Sequence, residues 1–177
     1  MKDTSTVTFE QLIEPTAEIA AAFTRWENEP TLIPFMRPNA NEQDLLKRST
    51  VTEEELKGRL EHHHYYLIYL NGLLIGEMDY QIDPAHLYKK EASTAWVGIT
   101  IGEASGRSRG IGYQAMQFLE SQIQQQGFHR IELGVFEFNN NAFRLYQKLG
   151  YIEIGRIDRF TYWHGKMWQD VRMEKYI

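Results

Sequence analysis

The chain has 177 residues, no cysteine, 42% hydrophobic and 24% charged residues, and a formal net charge of -5. This length suits one domain over residues 1–177 with a substantial core, and the acidic balance argues against nucleic-acid partners, which need a basic face. Without cysteine there is no disulfide, thiol nucleophile or thiolate metal site. The N-terminal stretch MKDTSTVTFEQLIEP has no apolar core of signal-peptide length and no apolar run approaches a membrane span, so a cytoplasmic protein with no membrane contact is expected.

In chain order, TVTFEQLI alternates around Val7 and Phe9 and predicts a first strand. Pro15 opens a helix in which Ile19, Ala22, Phe23 and Trp26 recur at helical spacing; proline is tolerated in a first turn. PTLIPFMRPNANEQDLLKR, with three prolines and no clean period, reads as irregular with a short helix at its end. Thr52 stands three residues before Glu55, a capping-box spacing that starts the next helix. His62, His63 and His64 follow. Adjacent positions do not converge on one ion and no carboxylate pattern completes a site, so no metal is expected and the three read as a helix-end surface cluster.

YYLIYLNGLLIGEMDYQI is a hairpin, because Asn71-Gly72 supplies the positive φ angles of a type I′ turn. TAWVGITIG is the next strand. IGYQAMQFLESQIQQQ sets Gly112, Met116, Leu119 and Ile123 on one helix face. HRIELGVFE is a strand, NNAFRLYQKLG a helix closed by Gly150, YIEIGRIDRF a strand, and QDVRMEKYI a final strand. The order β-α-α-β-β-β-α-β-α-β-β predicts one mixed α+β domain.

Between the fourth strand and its following helix lies GRSRGIG, residues 106–112. A helix start leaves backbone N–H groups unpaired and carries partial positive charge. Glycines let a ligand approach that backbone and the arginines add charge, which suits a phosphate. The Walker pattern is absent and the dinucleotide fingerprint is not matched. Taken alone, the turn fits either an anion seat or simple helix-start packing.

Arg107-Ser108-Arg109-Gly110-Ile111-Gly112 resembles the Q/R-x-x-G-x-G/A motif of the GNAT N-acetyltransferase superfamily. Downstream, Asn139, Ala142, Leu145, Tyr146, Lys148, Gly150 and Tyr151 resemble that superfamily's second block, in the same order and at similar spacing. The resemblance runs from about Tyr66 to the end. It implies the GNAT acyl-CoA N-acyltransferase fold, a central, mostly antiparallel twisted sheet flanked by helices. It also implies acetyl-CoA as cosubstrate, an amine acceptor, and direct attack in a ternary complex.

By this resemblance, Arg107, Ser108, Arg109, Gly110, Ile111 and Gly112 would hold the pyrophosphate. Ile99, Thr100 and Ile101 would pair with pantetheine on a strand that carries a bulge and splays from its neighbour. Asn139 would bond the cofactor arm, although an N-cap fits it equally. Tyr146 would protonate the leaving thiolate, and its helical spacing also suits a core position. Lys148 reads as a solvated helix residue. Many relatives place a glutamate early in the splayed strand; Trp96 stands near that position here. Glu77 is the substitute general base, with Asp79 on the same strand face as its alternative. Trp26, Phe35, Tyr65, Tyr80, Trp163 and Trp168 are candidates for an acceptor pocket as well as for core. The closing segment FTYWHGKMWQDVRMEK resembles the ending of the branch with ribosomal-protein N-terminal, polyamine and antibiotic acetyltransferases. A small polyamine or aminoglycoside-like amine and a protein N-terminus both stay open, as does a homodimer. A GNAT-fold module that senses acyl-CoA without turnover is the rival reading.

Overall fold

A computed structural model of the protein describes residues 5–177; the first four residues of the N-terminal stretch lie outside them. The elements are β1 (Val7–Gln11), α1 (Ala17–Glu27), α2 (Ile33–Met36), α3 (Glu42–Leu46), α4 (Glu53–Arg59), β2 (His64–Leu70), β3 (Leu73–Ile82), β4 (Thr94–Ile101), α5 (Ile111–Gln125), β5 (Arg130–Phe136), α6 (Asn140–Lys148), β6 (Ile152–Trp163) and β7 (Lys166–Tyr176). One seven-stranded sheet runs in the order β1-β2-β3-β4-β5-β7-β6. Its ladders are antiparallel except β4 with β5.

Local signals explain most boundaries. Thr16, Asn41, Thr52 and Asn139 each cap a helix by accepting a backbone N–H. Asn71 and Gly72 turn the β2–β3 hairpin at φ 52° and 78°, as the type I′ turn requires. Two differences from the sequence reading stand out. The stretch with three prolines contains a second short helix, α2, with Pro34 inside its first turn. The last two strands are longer than expected and meet at His164-Gly165, with φ 48° and 78°, so WHGK is a second tight hairpin.

Helices cover both faces of the sheet. On one face α5 buries Ile111, Ala115, Met116, Leu119 and Ile123 against Tyr66, Met78, Val97, Leu133 and Met173, and Tyr146 of α6 and its C-cap Leu149 join this core. On the other face α1 and α4 bury Phe23, Trp26 and Leu56 against Tyr65 and Leu67 of β2. These burials supply most of the drive to fold.

Beyond β4 that second face is charged. Arg130 and Glu132 of β5 and Arg172 and Glu174 of β7 alternate with the apolar residues of the α5 face, and all four are buried. Arg130 Nη2 lies 2.7 Å from Glu174 Oε2 and 3.0 Å from Glu132 Oε2, and Nη1 reaches Thr94 Oγ1 at 2.8 Å. The connection from β3 to β4 closes over these groups. Lys89 Nζ bonds Glu174 at 2.6 Å, and the His86 carbonyl accepts from Arg172 at 2.9 Å. Buried ions are tolerated only when paired in this way. Arg130→Ala would leave Glu132 and Glu174 without their main counter-charge, and urea unfolding should show a loss of about 3–5 kcal/mol.

Candidate active site

β4 keeps to β3 and leaves β5. Its register with β3 is continuous over seven pairs, Gly76↔Ile101 to Ile82↔Ala95. With β5 it forms only three pairs, Thr94↔Arg130, Ala95↔Ile131 and Trp96↔Glu132. The strand therefore splays as the resemblance implied, but its ladder to β3 contains no bulge. A Cβ added to Gly76 would lie 2.3 Å from the Thr100 carbonyl oxygen, so that carbonyl turns toward β3. By alternation, Ile99 and Ile101 turn their peptide groups to the open side. Arg107 Nε already takes the Ile101 carbonyl at 3.1 Å. Of the three expected pantetheine partners, Ile99 keeps the open peptide group.

The parting widens into a cleft of about 700 Å³ that reaches both faces of the sheet. Glu77, Asp79, Trp96 and Asp170 line it from the α1 side, and Gly112, Asn139 and Tyr146 from the α5–α6 side. Ile99, Thr100 and Ile101 lie along it. Two glycines let carboxylates lean inward. A Cβ on Gly98 would meet Asp79 Oδ1 at 2.8 Å, and one on Gly134 would meet Asp170 Oδ2 at 2.7 Å. Of the six aromatic candidates, Trp26, Phe35 and Tyr65 line the cleft, Trp26 and Tyr65 from the core itself, while Tyr80 is core, and Trp163 and Trp168 lie outside the lining, Trp163 behind Phe35 with ring centroids 5.4 Å apart.

The cleft carboxylates differ in their partners. Glu27 pairs with Arg59 at 2.6 Å, Asp170 with Arg172 at 2.6 Å, and Asp79 with His63 Nδ1 at 2.6 Å. Glu77 has a buried Oε2 with no hydrogen-bond partner. Burial, and then the charge of Asp79, push its carboxyl up to about 8, against the Thr100 hydroxyl on the paired strand. Burial raises Asp79 as well, opposed by His63. A carboxyl titrating near neutrality in a cleft is suited to general-base work.

On the opposite side, Tyr146 is buried in α6 with its ring 5.9 Å from that of Tyr151. No hydrogen bond within the described residues engages its hydroxyl, and burial pushes the phenol up to about 12. Asn139 is both N-cap and cleft residue: its Oδ1 accepts from Ala142 N at 3.3 Å. Lys148 Nζ sits 4.9 Å over the Tyr113 ring, at the helix surface.

The glycine-rich turn follows the end of β4, and its last residue, Gly112, lines the cleft. Gly110 is the N-cap of α5 at φ 74° and offers no side-chain cap, so the first N–H groups of the helix face outward. Ser108, Arg109 and Gly110 are exposed, whereas Ile111 points into the core and contributes only backbone. Arg109 Nη2 bonds Ser5 Oγ at 3.0 Å. Arg107 is placed differently from the anion-seat expectation. Its guanidinium holds the carbonyls of Ile101 and Gly102, the latter at 2.6 Å, and so fixes the strand end that precedes the turn. Gly112 packs where a Cβ would meet Leu145 at 3.3 Å, bringing α5 close to α6.

Sequence reasoning missed Asp170, Arg172, Arg59 and His86 as cleft residues and His63 as a partner of Asp79. The DVRM spacing was the one signal for Asp170; nothing local marks the others. Among the described residues no group of three His, Asp or Glu side chains could hold a metal ion, and no helix is long and apolar enough to cross a membrane. A Cβ on Gly110 would meet nothing within 4 Å, so its constraint is the positive φ. Gly110→Val should cost about 1–2 kcal/mol through left-handed strain, read by thermal melting. If the turn seats the cofactor as the resemblance implies, millimolar acetyl-CoA should raise the melting temperature of the parent chain and leave that of Gly110→Val unchanged.

The sequence matches the model of the Acetyltransferase (GNAT) family over residues 20–151. It is 31% identical over 114 residues, 62% of this chain and 70% of the other, to the uncharacterized N-acetyltransferase YdgE of Bacillus subtilis (strain 168). An acetyltransferase of the GNAT family from Streptococcus pneumoniae shares the fold with a TM-score of 0.73 at 23% identity, over 97% of this chain and 100% of that one. Spermidine N-acetyltransferase from Vibrio cholerae, solved with CoA and spermine, also has a TM-score of 0.73, at 16% identity, over 96% and 95% of the two chains. With a family match over most of its length, a parted β4–β5 pair and a glycine-rich turn that opens α5, the chain belongs to the GNAT acetyltransferase family, the acyltransferases that draw their acetyl group from acetyl-CoA.

Proposed function

We propose that the protein transfers the acetyl group of acetyl-CoA to a primary amine by direct attack in a ternary complex, with Glu77 as general base and Tyr146 as general acid. The observation that carries this reading is the position of the two groups. Glu77, the cleft carboxylate with an unpartnered buried oxygen, and Tyr146, with an unengaged hydroxyl, line the same cleft from opposite faces of the sheet. The open peptide group of Ile99 lies along that cleft.

The pyrophosphate would sit on the backbone of Ser108 to Gly112 at the start of α5, and pantetheine along Ile99. Asn139 would offer its amide nitrogen to the cofactor arm. The acceptor enters as an ammonium, and Glu77 takes one proton to make it a nucleophile. The amine attacks the thioester carbonyl, whose developing oxyanion is held by backbone N–H at the parted strand. Collapse breaks the C–S bond. Tyr146 gives its proton to the departing sulfur and is restored by the second proton leaving the new amide nitrogen. One proton remains on Glu77.

Two features of the walls suit a cationic acceptor. Glu27, Asp79 and Asp170 are paired with Arg59, His63 and Arg172, so Glu77 is the carboxylate left to meet it, in a space bounded by Trp26 and Phe35, whose aromatic faces attract cations. A small polyamine or aminoglycoside-like amine fits this chemistry, and so does a protein N-terminus entered end-on. A panel of spermidine, an aminoglycoside and alanine-terminated peptides, read by thiol release, is expected to give turnover with at least one. Cofactor binding without thiol release from any of them would favour the sensor reading.

Tyr146→Phe keeps the ring in place, so folding and cofactor affinity should change little. Turnover should fall by roughly 10²-fold, or about 2.7 kcal/mol of barrier. For the amine, kcat/KM should climb with pH and level off above about 8, because Glu77 must be deprotonated to act. In Glu77→Gln that limb should vanish along with most of the activity. A Glu77→Gln enzyme with the parental profile would remove Glu77 from the mechanism.

A further inference from the structure

Acetylating an ammonium with a thioester yields the amide, the thiol and one net proton. On the reading above, each cycle leaves that proton on Glu77, whose Oε2 is buried away from solvent. The next cycle waits until the carboxylate is restored. We propose that Asp79 and His63 form the outlet for this proton, carrying it from Glu77 to the more exposed His63 ring; the proposal rests on Glu77 being the base.

The geometry points one way. Glu77 and Asp79 are two residues apart on one face of β3 and both line the cleft. Asp79 has two engaged sides: Oδ1 lies over Gly98, toward the parted strand, and Oδ2 meets His63 Nδ1 at 2.6 Å. Exposure rises along the row, since the Asp79 side chain is 15% exposed and that of His63 is 31%. His63 stands just before β2, with its ring stacked on Tyr65 at 5.7 Å. Histidine accepts a proton at one ring nitrogen and releases one from the other, which suits a path ending in water.

The other charged and titratable groups facing the pair do not offer that path. Arg59 of α4 is committed to Glu27 of α1 and to Glu55. Burial and both carboxylates push the Tyr65 phenol up, so it stays protonated. The Thr100 hydroxyl of β4 faces Glu77. His86, on the β3–β4 connection, stands edge-on to Trp96 with ring centroids 4.6 Å apart. The step is a plain transfer: the Glu77 carboxyl protonates the Asp79 carboxylate directly or across one water, Asp79 protonates Nδ1 of the Nε2–H tautomer, Nε2–H passes to bulk water, and tautomer exchange through water restores the ring for the next cycle. Because Glu77 and Asp79 oppose each other's ionisation, one proton is held by the pair rather than by either alone.

Imidazole NMR on the full chain reads the coupling without any acceptor. The His63 ring resonances should follow an inflection near 8, where Glu77 titrates. Glu77→Gln and Asp79→Asn should each erase it. Ring resonances that keep the inflection in Glu77→Gln overturn the outlet. Kinetics with the fastest amine among spermidine, the aminoglycoside and the peptides supply the second measurement. His63→Ala, and His63→Gln as the better-packed variant, should lower kcat several-fold with KM for acetyl-CoA unchanged, and imidazole in the buffer should restore the rate. Unchanged kcat, or a loss that imidazole does not restore, assigns His63 a structural role only. Indifference of the rate to Glu77→Gln sinks the base assignment instead, so the two failures are distinguishable.

Discussion

Three residue pairs join the two halves of the sheet: Thr94 with Arg130, Ala95 with Ile131 and Trp96 with Glu132. Everything at the cleft depends on where that ladder stops. β4 continues along β3, its end fixed by Arg107 on the Ile101 and Gly102 carbonyls. β5 continues along β7 through Phe136↔Asp170, with Arg130 bonded to both Glu132 and Glu174. Each strand is more strongly held by its outer neighbour than by the other, so past Trp96 the sheet opens. An opened sheet exposes peptide groups in a largely apolar setting, where a backbone hydrogen bond to a ligand counts for more than in water.

That opening also orders the electrostatics. The charged face of β5 and β7 is closed by neutralising pairs, and its last member, Asp170, leans over Gly134 into the cleft while paired to Arg172. Glu27 and Asp79 are likewise paired. Glu77 is left with burial and a neighbouring negative charge, the two influences that raise a carboxyl. The base candidate is therefore a product of its neighbours' pairings as much as of its own position.

Several parts of this arrangement were legible in the chain. Asn71-Gly72 set a hairpin, and its alternation put Glu77 and Asp79 on one face. The spacing of Gly112, Met116, Leu119 and Ile123 put one face of α5 toward the sheet, and the last three are buried there. Arg107 to Gly112 and Asn139 to Tyr151 carried the family resemblance. Less legible were α2, obscured by three prolines, and His164-Gly165, a tight turn with a less usual first residue than asparagine. His63 read as surface because its neighbours are histidines, and Arg107 read as an anion-binding charge because its carbonyl partners lie on the strand behind it.

The sequence by itself determined the order of the strands and of the longer helices, the glycine-rich start of α5 and the helix that carries Tyr146, because turn chemistry, side-chain periodicity and capping act over a few residues. Only the tertiary structure decided which cleft acid keeps an unpartnered buried oxygen, where Arg107 spends its guanidinium, how Asp170 reaches the cleft and how His63 reaches Asp79. Those outcomes rest on contacts between distant segments, such as Asp79 with His63 and Gly134 with Asp170. Such contacts follow from strand register and from which face a residue shares. Both are properties of the whole sheet that no local window of sequence contains.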